Sequence, residues 1–178
     1  RGVAADVFSG LTKLKKLNAS NNSFSGDLSW LKNLSALQTL RLDGNQLSGQ
    51  LDLSQFSPNL TDVYLSNNKL EGNLNGISTL TKVRNLYLEH NLLSGELPAE
   101  LGNCSTLSYF YLSNNNITGT IPVEVAKMNL GYSGLKLNGN RMSGEIPAEV
   151  LSSAVWKKLY PETNIYPQQE GYGFSNVK

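Results

Sequence analysis

The chain has one cysteine, Cys104, and one histidine, His90, and this scarcity removes several kinds of chemistry. A lone cysteine cannot form an internal disulfide, and zinc sites built from cysteine and histidine need several such ligands. A serine nucleophile needs a histidine partner within hydrogen-bond reach, and no recognisable motif surrounds His90. Metal binding by His90, Glu89 and Asp62 would have no known ligand spacing. We therefore expect no catalytic centre, no metal and no cofactor, and we expect Cys104 to pack and His90 to lie on a solvent-exposed turn.

A charge excess and a long apolar run are also missing. The 15 Lys and Arg residues nearly balance the 14 Asp and Glu residues, which leaves a net charge of +1. A balanced chain lacks the basic field that attracts nucleic acid or an anionic membrane surface. No apolar stretch reaches the roughly 20 residues that a membrane-spanning helix requires. These absences argue against nucleic acid as a partner and against insertion into a membrane.

What the chain does contain is a repeat. The clearest copy, residues 83–95, reads V-x-x-L-x-L-x-x-N-x-L-S-G, and the frame recurs in six copies with a divergent first and last one. The frame asparagines are Asn22, Asn45, Asn68, Asn91, Asn115 and Asn140. They follow one another at a nearly constant interval, within the range of roughly 20–29 residues that is typical of a leucine-rich repeat. This interval and this consensus together are the signature of that repeat.

The repeat frame has a physical reason at each position. In the Leu-x-Leu pair, alternate side chains point inward and outward, as in a short β-strand. One repeat cannot close a core, so stacked neighbours bury each other's leucines. The frame asparagine stands where the chain leaves the strand, and its amide can donate to and accept from backbone groups. We therefore interpret the six asparagines as a buried structural ladder rather than a functional site.

The three later copies continue after the asparagine as Ser/Thr-Gly-x-Ile/Leu-Pro-x-x-Leu/Val, at residues 94–101, 118–125 and 143–150. This segment resembles the plant-type leucine-rich repeats of receptor kinases and inhibitor proteins. The resemblance implies an α/β-type solenoid, an arc with a parallel sheet on its concave side and an irregular or 3₁₀ convex side. It also implies an extra short strand after each asparagine. The earlier copies lack the proline, so we expect a less regular convex side there.

Two segments follow from the repeat frame: a solenoid over residues 1–154 and a C-terminal cap or tail over residues 155–178. Gly2 lies one repeat interval before the frame glycine Gly26. We therefore expect that half of an upstream repeat is missing and that the chain is a mature or trimmed fragment.

The tail has no Leu-x-Leu pair and no frame asparagine. Because an open solenoid end exposes core residues, a cap is expected there, and Trp156, Leu159, Tyr160 and Phe174 are its candidate members. The stretch Pro-Gln-Gln-x-Gly-Tyr-Gly-Phe at residues 167–174 resembles the C-terminal ends of surface leucine-rich repeat proteins of Bacteroidetes. That resemblance implies a secreted or cell-surface location, with bacterial export favoured over the plant apoplast.

The outward strand positions are left free by the repeat, and function is expected there. One outward column carries Tyr64, Tyr87 and Tyr111 on neighbouring strands, about 5 Å apart, and Tyr109 lies beside them. The charged residues expected around these tyrosines are Arg41, Asp62, Glu89 and Lys136. Aromatic residues with a polar tip are enriched at interfaces, although they also stabilise sheets by cross-strand stacking.

We interpret this tyrosine surface as a non-catalytic binding site for a protein or peptide on the concave face. A glycan stacked on the tyrosine rings is the first alternative, and an enzyme that uses His90 is the second. A tyrosine surface that only braces the sheet also remains open at this point.

Overall fold

The computed structural model describes residues 2–177, so the predicted segment ends at residues 1 and 178 lie outside the described residues. The strands are short and most of them come in pairs, one before and one after each frame asparagine. In chain order they are β1 (Gly2–Val3), β2 (Lys16–Asn18), β3 (Phe24–Gly26), β4 (Thr39–Arg41), β5 (Gln46–Leu51), β6 (Asp62–Tyr64), β7 (Lys69–Gly72), β8 (Asn85–Tyr87), β9 (Ser94–Glu96), β10 (Tyr109–Tyr111), β11 (Asn116–Thr118), β12 (Leu135–Lys136), β13 (Ser143–Gly144) and β14 (Gly173–Phe174).

The strands that precede the frame asparagines form one parallel sheet of six strands, in the order β12-β10-β8-β6-β4-β2. Equivalent frame positions pair across it, so that Leu40 lies opposite Val63 and Val63 lies opposite Leu86. These inward side chains are fully buried, because each repeat covers the apolar face of the one before it. The pairing confirms the predicted solenoid with a parallel concave sheet.

The second strand of each repeat lies just after the frame asparagine and forms shorter parallel sheets: β1-β3-β5-β7, β9 with β11, and β13 with β14. Its frame glycine is required by geometry. Gly72 has φ +95°, and a Cβ atom there would stand 3.1 Å from the backbone nitrogen of Leu51. A larger residue would be strained in conformation and would clash with the backbone of the preceding repeat.

Helical turns return the chain along the convex side. The 3₁₀ helices are Ser29–Asn33, Leu53–Gln55, Ile77–Thr79, Ala99–Asn103 and Val123–Lys127, and the α-helices are α1 (Ala4–Phe8), α2 (Ala148–Ser152), α3 (Ala154–Lys158) and α4 (Pro161–Asn164). Two of the three copies without proline have only three-residue turns, whereas the copies with proline have five-residue turns. The exception is Ser29–Asn33, which has five residues although it lacks the proline. No helix within residues 2–177 is long and apolar enough to cross a membrane.

The internal asparagines bridge adjacent repeats. Asn68 donates through Nδ2 to the carbonyls of Leu65 and Leu42, and its Oδ1 accepts from the Leu47 N–H, each at 3.0 Å. The buried asparagines that repeat this arrangement are Asn45, Asn91, Asn115 and Asn140.

The prediction of six buried asparagines is wrong for Asn22. This residue is exposed and donates to the carbonyls of Ala19 and Ser20 in its own repeat. The described residues before its repeat, 2–15, form only part of a repeat and leave its side chain exposed.

Replacing Asn68 by Ala is expected to lower the free energy of unfolding by about 1–3 kcal/mol, the cost of leaving a buried polar group unpaired. The carbonyls of Leu42 and Leu65 keep bonds to Asn45 and Asn91, so the loss falls on the buried Leu47 N–H. Chemical denaturation measures the effect. Asn22→Ala is the matched control, since water can replace the bonds of the exposed Asn22. Equal losses in both variants would contradict a ladder that stabilises through burial.

The tail extends the ladder with a glutamine. Gln168 accepts from the Met142 N–H at 3.1 Å through Oε1 and donates to the Leu137 carbonyl at 3.1 Å and the Ile165 carbonyl at 2.6 Å. These are the contacts that an asparagine makes in the earlier repeats. Gly173–Phe174 also pairs in parallel with Ser143–Gly144. The tail therefore folds as a seventh, degenerate repeat on top of the sixth.

The apolar cover of this end differs from the expected set in one residue. Leu159 and Phe174 are buried and Trp156 is half-buried, but Tyr160 is 52% exposed. Val155 in α3 and Leu159, the residue that caps the end of α3, are buried four positions apart on one face, so the next residue points away from that face. Tyr160 is the N-cap residue of α4 and has a left-handed backbone, φ 50°, and the prediction that it covers the core is wrong.

Candidate ligand-binding surface

Five outward side chains form a continuous row across the concave sheet, one on each of the strands β4, β6, β8, β10 and β12. We call them the tyrosine row: Arg41, Tyr64, Tyr87, Tyr111 and Lys136. The parallel register places them directly opposite one another, because each occupies the same position of its repeat. The solenoid core needs no aromatic residue at these outward positions.

The rings of the tyrosine row contact one another across the strands. The centroids of Tyr64 and Tyr87 are 4.8 Å apart in an edge-to-face arrangement of 77°. Tyr87 and Tyr111 are stacked, with centroids 4.6 Å apart and planes 19° from parallel. Aromatic pairs of these geometries are worth about 0.5–1.5 kcal/mol beyond burial, so the row is a rigid surface.

A cation closes each end of the tyrosine row. The guanidinium carbon of Arg41 lies 4.2 Å from the centre of the Tyr64 ring, and the Lys136 ammonium lies 4.2 Å from the centre of the Tyr111 ring. Both distances fall within the roughly 6 Å of a cation–π interaction. Tyr111 therefore lies between Tyr87 and Lys136, and Arg41 covers one face of Tyr64.

Tyr109 extends the aromatic surface to one side. Its ring meets that of Tyr111 edge to face, 6.3 Å between centroids. It also lies against Gly131, where an added Cβ would come within 2.9 Å of the Tyr109 ring. A glycine at position 131 thus leaves the space that this tyrosine occupies.

Burial and neighbouring groups raise the pKa of the two central phenols above their ordinary value. Burial, with contributions from Tyr111, Tyr64 and Glu89, raises the pKa of Tyr87 to about 12. Burial and the Glu89 carboxylate also raise the pKa of Tyr111. At neutral pH both hydroxyls are therefore available to donate hydrogen bonds to a ligand.

The two acidic residues predicted for the site, Glu89 and Asp62, each accept a hydrogen bond from a residue one repeat interval away. Glu89 accepts from the Ser66 hydroxyl, and Asp62 accepts from the Asn85 amide and from the Thr61 hydroxyl. Ser66 and Asn85 were not among the residues predicted from the sequence. The signal was present, because each lies one repeat interval from its partner, at the same position of the adjacent repeat.

His90 lies beside this surface in a left-handed turn, with φ 55°. It is exposed, and its Nε2 lies 3.3 Å from the Asn114 amide nitrogen. The residue before the frame asparagine has a positive φ in every copy, and the other copies place Asn or Gly there: Asn21, Gly44, Asn67, Asn114 and Gly139. Asn, Gly and His all tolerate this conformation better than most residues, so the backbone explains His90 without catalysis.

Cys104 is buried beside the carbonyls of Ile77 and Glu100, and burial raises the pKa of its thiol. A buried thiol of raised pKa is a poor nucleophile. Among residues 2–177, no three His, Cys, Asp or Glu side chains lie close enough together to hold a metal ion.

Two family models of the leucine-rich repeat match this chain. One covers residues 1–47, and the other matches twice, at residues 82–104 and 106–128. The matches include the divergent first copy and two of the regular later copies.

Solved structures of plant receptor ectodomains share the fold. The plant peptide hormone receptor RGFR1 in complex with RGF2 is 32% identical over 84% of this chain, with a TM-score of 0.77. The Arabidopsis receptor kinase HAESA ectodomain in complex with an extended IDA peptide hormone is 32% identical over 84%, with a TM-score of 0.76. HAESA in complex with IDA and the co-receptor SERK1 is 28% identical over 88%, with a TM-score of 0.78.

This chain spans only about a quarter of each of those receptor chains: 24%, 25% and 26% of their lengths. The likeness thus concerns a run of repeats rather than a whole receptor. The repeat frame, the stacked parallel strands, the family models and these structures agree, and the chain belongs to the leucine-rich repeat family.

Proposed function

We propose that this chain is a non-catalytic binding module that recognises a protein or peptide through the tyrosine row on its concave face. The observation that carries the proposal is the continuous row of three tyrosines capped by two cations, at positions that the solenoid leaves free. Central aromatic residues flanked by charge are typical of interface hot spots. Tyr109, Asp62 and Glu89 belong to the same proposed site.

The ring geometry favours a peptide over a glycan. A sugar stacks on an open aromatic face, but Tyr111 lies between Tyr87 and Lys136, and Arg41 covers one face of Tyr64. With these faces covered, the row offers a ligand chiefly its hydroxyls. These groups suit the carbonyls and side chains of a polypeptide better than the apolar face of a sugar ring.

The similar structures support this proposal. RGFR1 and HAESA are described with bound peptide hormones, and HAESA also with a co-receptor. The HAESA structure is that of a receptor kinase ectodomain, and an extracellular or cell-surface location is part of the proposal for this chain. The bacterial export suggested by the tail stays a prediction from the sequence.

One sample can separate the three candidate classes of function. The protein is presented to a random peptide library displayed on phage, to a glycan array and to generic ester, peptide and glycoside substrates. We expect peptides to be enriched, the glycan array to stay blank and no hydrolysis to occur. Tyr172→Ala serves as the control variant, because Tyr172 is exposed in the tail outside the row. Glycan binding without peptide enrichment, or hydrolysis lost in His90→Ala, would replace the proposal with the corresponding alternative.

A further inference from the structure

Asparagine is followed directly by glycine at two places in the chain, Asn75–Gly76 and Asn138–Gly139. This dipeptide is chemically labile, because the backbone nitrogen of the glycine can attack the side-chain carbonyl carbon of the asparagine. Glycine has no Cβ atom to hinder that approach. A leucine precedes both pairs, Leu74 in one and Leu137 in the other. A large difference in reactivity between the two pairs would therefore come from the way the fold holds them.

The pair Asn138–Gly139 is held at both reacting groups. Asn138 Oδ1 accepts from the Ser113 hydroxyl at 2.6 Å. The Gly139 N–H donates to the Pro167 carbonyl at 2.7 Å. The first bond fixes the side-chain amide, and the second occupies the nitrogen that would attack it. Both bonds have to open before the two groups can react, so the fold protects this pair.

The pair Asn75–Gly76 lies in the turn between β7 and the 3₁₀ helix Ile77–Thr79 and lacks both restraints. Within residues 2–177, the Gly76 N–H donates no hydrogen bond, and the side-chain amide of Asn75 makes none. The backbone N–H of Asn75 donates to Asn73 Oδ1 at 2.9 Å. That bond orders the turn without engaging either reacting group.

The surroundings of Asn75 leave room for the reaction. Its side chain is exposed, and a surface cleft of 180 Å³ separates the turn from Pro98 and Glu100 in the next repeat. The side chain can therefore rotate towards the Gly76 nitrogen, and water can reach the product.

We propose that Asn75–Gly76 is a site of spontaneous deamidation and isoaspartate formation in the folded protein, and that the fold protects Asn138–Gly139 from the same reaction. The proposal stands independently of the ligand that the tyrosine row binds.

The reaction needs only water as a co-reactant. The Gly76 nitrogen loses its proton and bonds to Cγ of Asn75, and the bond from Cγ to the side-chain nitrogen breaks, which releases ammonia and leaves a five-membered imide ring. Water then opens the ring at one of its two carbonyls. Opening at Cγ gives aspartate, whereas opening at the main-chain carbonyl leaves Gly76 attached through Cγ, which is isoaspartate. The net change is one amide and one water to one carboxylic acid and one ammonia, with no change of oxidation state.

The two products affect the fold differently. Gly76 has φ +82°, and a Cβ atom there would stand 2.9 Å from the backbone nitrogen of Ser54 in the preceding repeat. Isoaspartate inserts the methylene of the side chain into the main chain directly before this close contact. Aspartate keeps the length of the main chain and adds only a charge at an exposed position. The isoaspartyl form should therefore be the less stable product.

Ageing of the full chain tests the site. The purified protein is incubated at mildly alkaline pH, and its peptides are followed by mass spectrometry, in which conversion replaces an NH by an oxygen. Conversion at Asn75 should be at least about tenfold faster than at Asn138, because two hydrogen bonds must open at the second site. In denaturant the two rates should become similar. Asn75→Gln, which cannot form the five-membered ring, should remove the signal at this position.

Two results would overturn the proposal. One is conversion in the folded protein that is equal at both sites or faster at Asn138. The other is a rate difference that persists in denaturant, since it would then come from the local sequence rather than from the fold.

A second measurement checks the structural consequence. The isoaspartyl form is identified by labelling with an isoaspartate methyltransferase and separated by ion exchange, and Asn75→Asp supplies the aspartyl form. The isoaspartyl form should unfold at a lower denaturant concentration than Asn75→Asp. Identical unfolding curves would show that the contact between Gly76 and Ser54 tolerates the longer main chain, and the predicted loss of stability would be wrong.

Discussion

Removal of residues 155–178 is expected to abolish the soluble monomeric fold. The tail satisfies buried backbone groups of the last regular repeat: the Leu137 N–H donates to the Asn164 carbonyl at 2.6 Å, and the Met142 N–H donates to Gln168. Without the tail both N–H groups lose these partners and lie at an open end of the solenoid, where water has to replace the bonds.

Apolar burial adds to this loss. Leu159 and Ile165 are fully buried and Phe174 is 7% exposed, and each buried side chain of this kind contributes about 1.5–3 kcal/mol. Their removal opens the layer of Leu135 and Leu137 to water, and an exposed apolar surface of this size promotes association. Size-exclusion chromatography with light scattering should show aggregates, and thermal unfolding should lose its cooperative transition.

A point substitution keeps this prediction measurable if the truncated chain is insoluble. Gln168→Ala should lower the free energy of unfolding by about 1–3 kcal/mol, since it orphans the buried Met142 N–H. Glu170→Ala is the control, because Glu170 is exposed two positions away. A truncated chain that stays monomeric with an unchanged melting temperature would show that the tail is an appendage.

The sequence predicted the solenoid because its evidence is periodic. A frame that recurs at a nearly constant interval fixes which strands are neighbours, and the Leu-x-Leu alternation fixes which face of each strand is buried. For the same reason the sequence placed Tyr64, Tyr87 and Tyr111 opposite one another, as the register shows.

The seventh repeat was not predicted because it makes the hydrogen bonds of the repeat frame with different residue types. Gln168 replaces the asparagine, and it stands further along the chain from Asn140 than any frame asparagine stands from the one before it. A longer side chain reaches the same backbone groups from a different starting point. The side-chain amide makes the same hydrogen bonds, but both the residue type and its distance along the chain differ from the repeat frame. A search for that frame therefore does not find this repeat.

The detailed form of the candidate site also lay beyond the sequence. Adjacent columns do not reveal side-chain rotamers, so neither the stacking of Tyr87 on Tyr111 nor the positions of Arg41 and Lys136 over the outer rings could be derived. These rotamers decide whether ring faces or ring edges meet a ligand. The structure adds the contacts among the three rings and the position of one cation over each outer ring.

Substitution of Tyr87 by Ala is expected to weaken the binding of library-selected peptides by about 2 kcal/mol or more, roughly thirtyfold in Kd. Tyr87 is the central member of the tyrosine row, in contact with Tyr64 on one side and Tyr111 on the other. A ligand across the row would therefore bury its edge and hydroxyl most completely. Truncation to alanine also leaves Tyr64 and Tyr111 without their shared neighbour.

The same substitution should lower the free energy of unfolding by only about 0.5–1 kcal/mol, because the side chain points outward and loses cross-strand contact alone. Affinity and melting temperature are measured on the same preparation, with Tyr172→Ala as an exposed tyrosine outside the row. Tyr87→Phe separates the hydroxyl from the ring, since it keeps the stacking and removes one donor. Unchanged affinity combined with marked destabilisation would mean that the tyrosines only brace the sheet, and the ligand surface would then lie on the convex side, the turns or the tail.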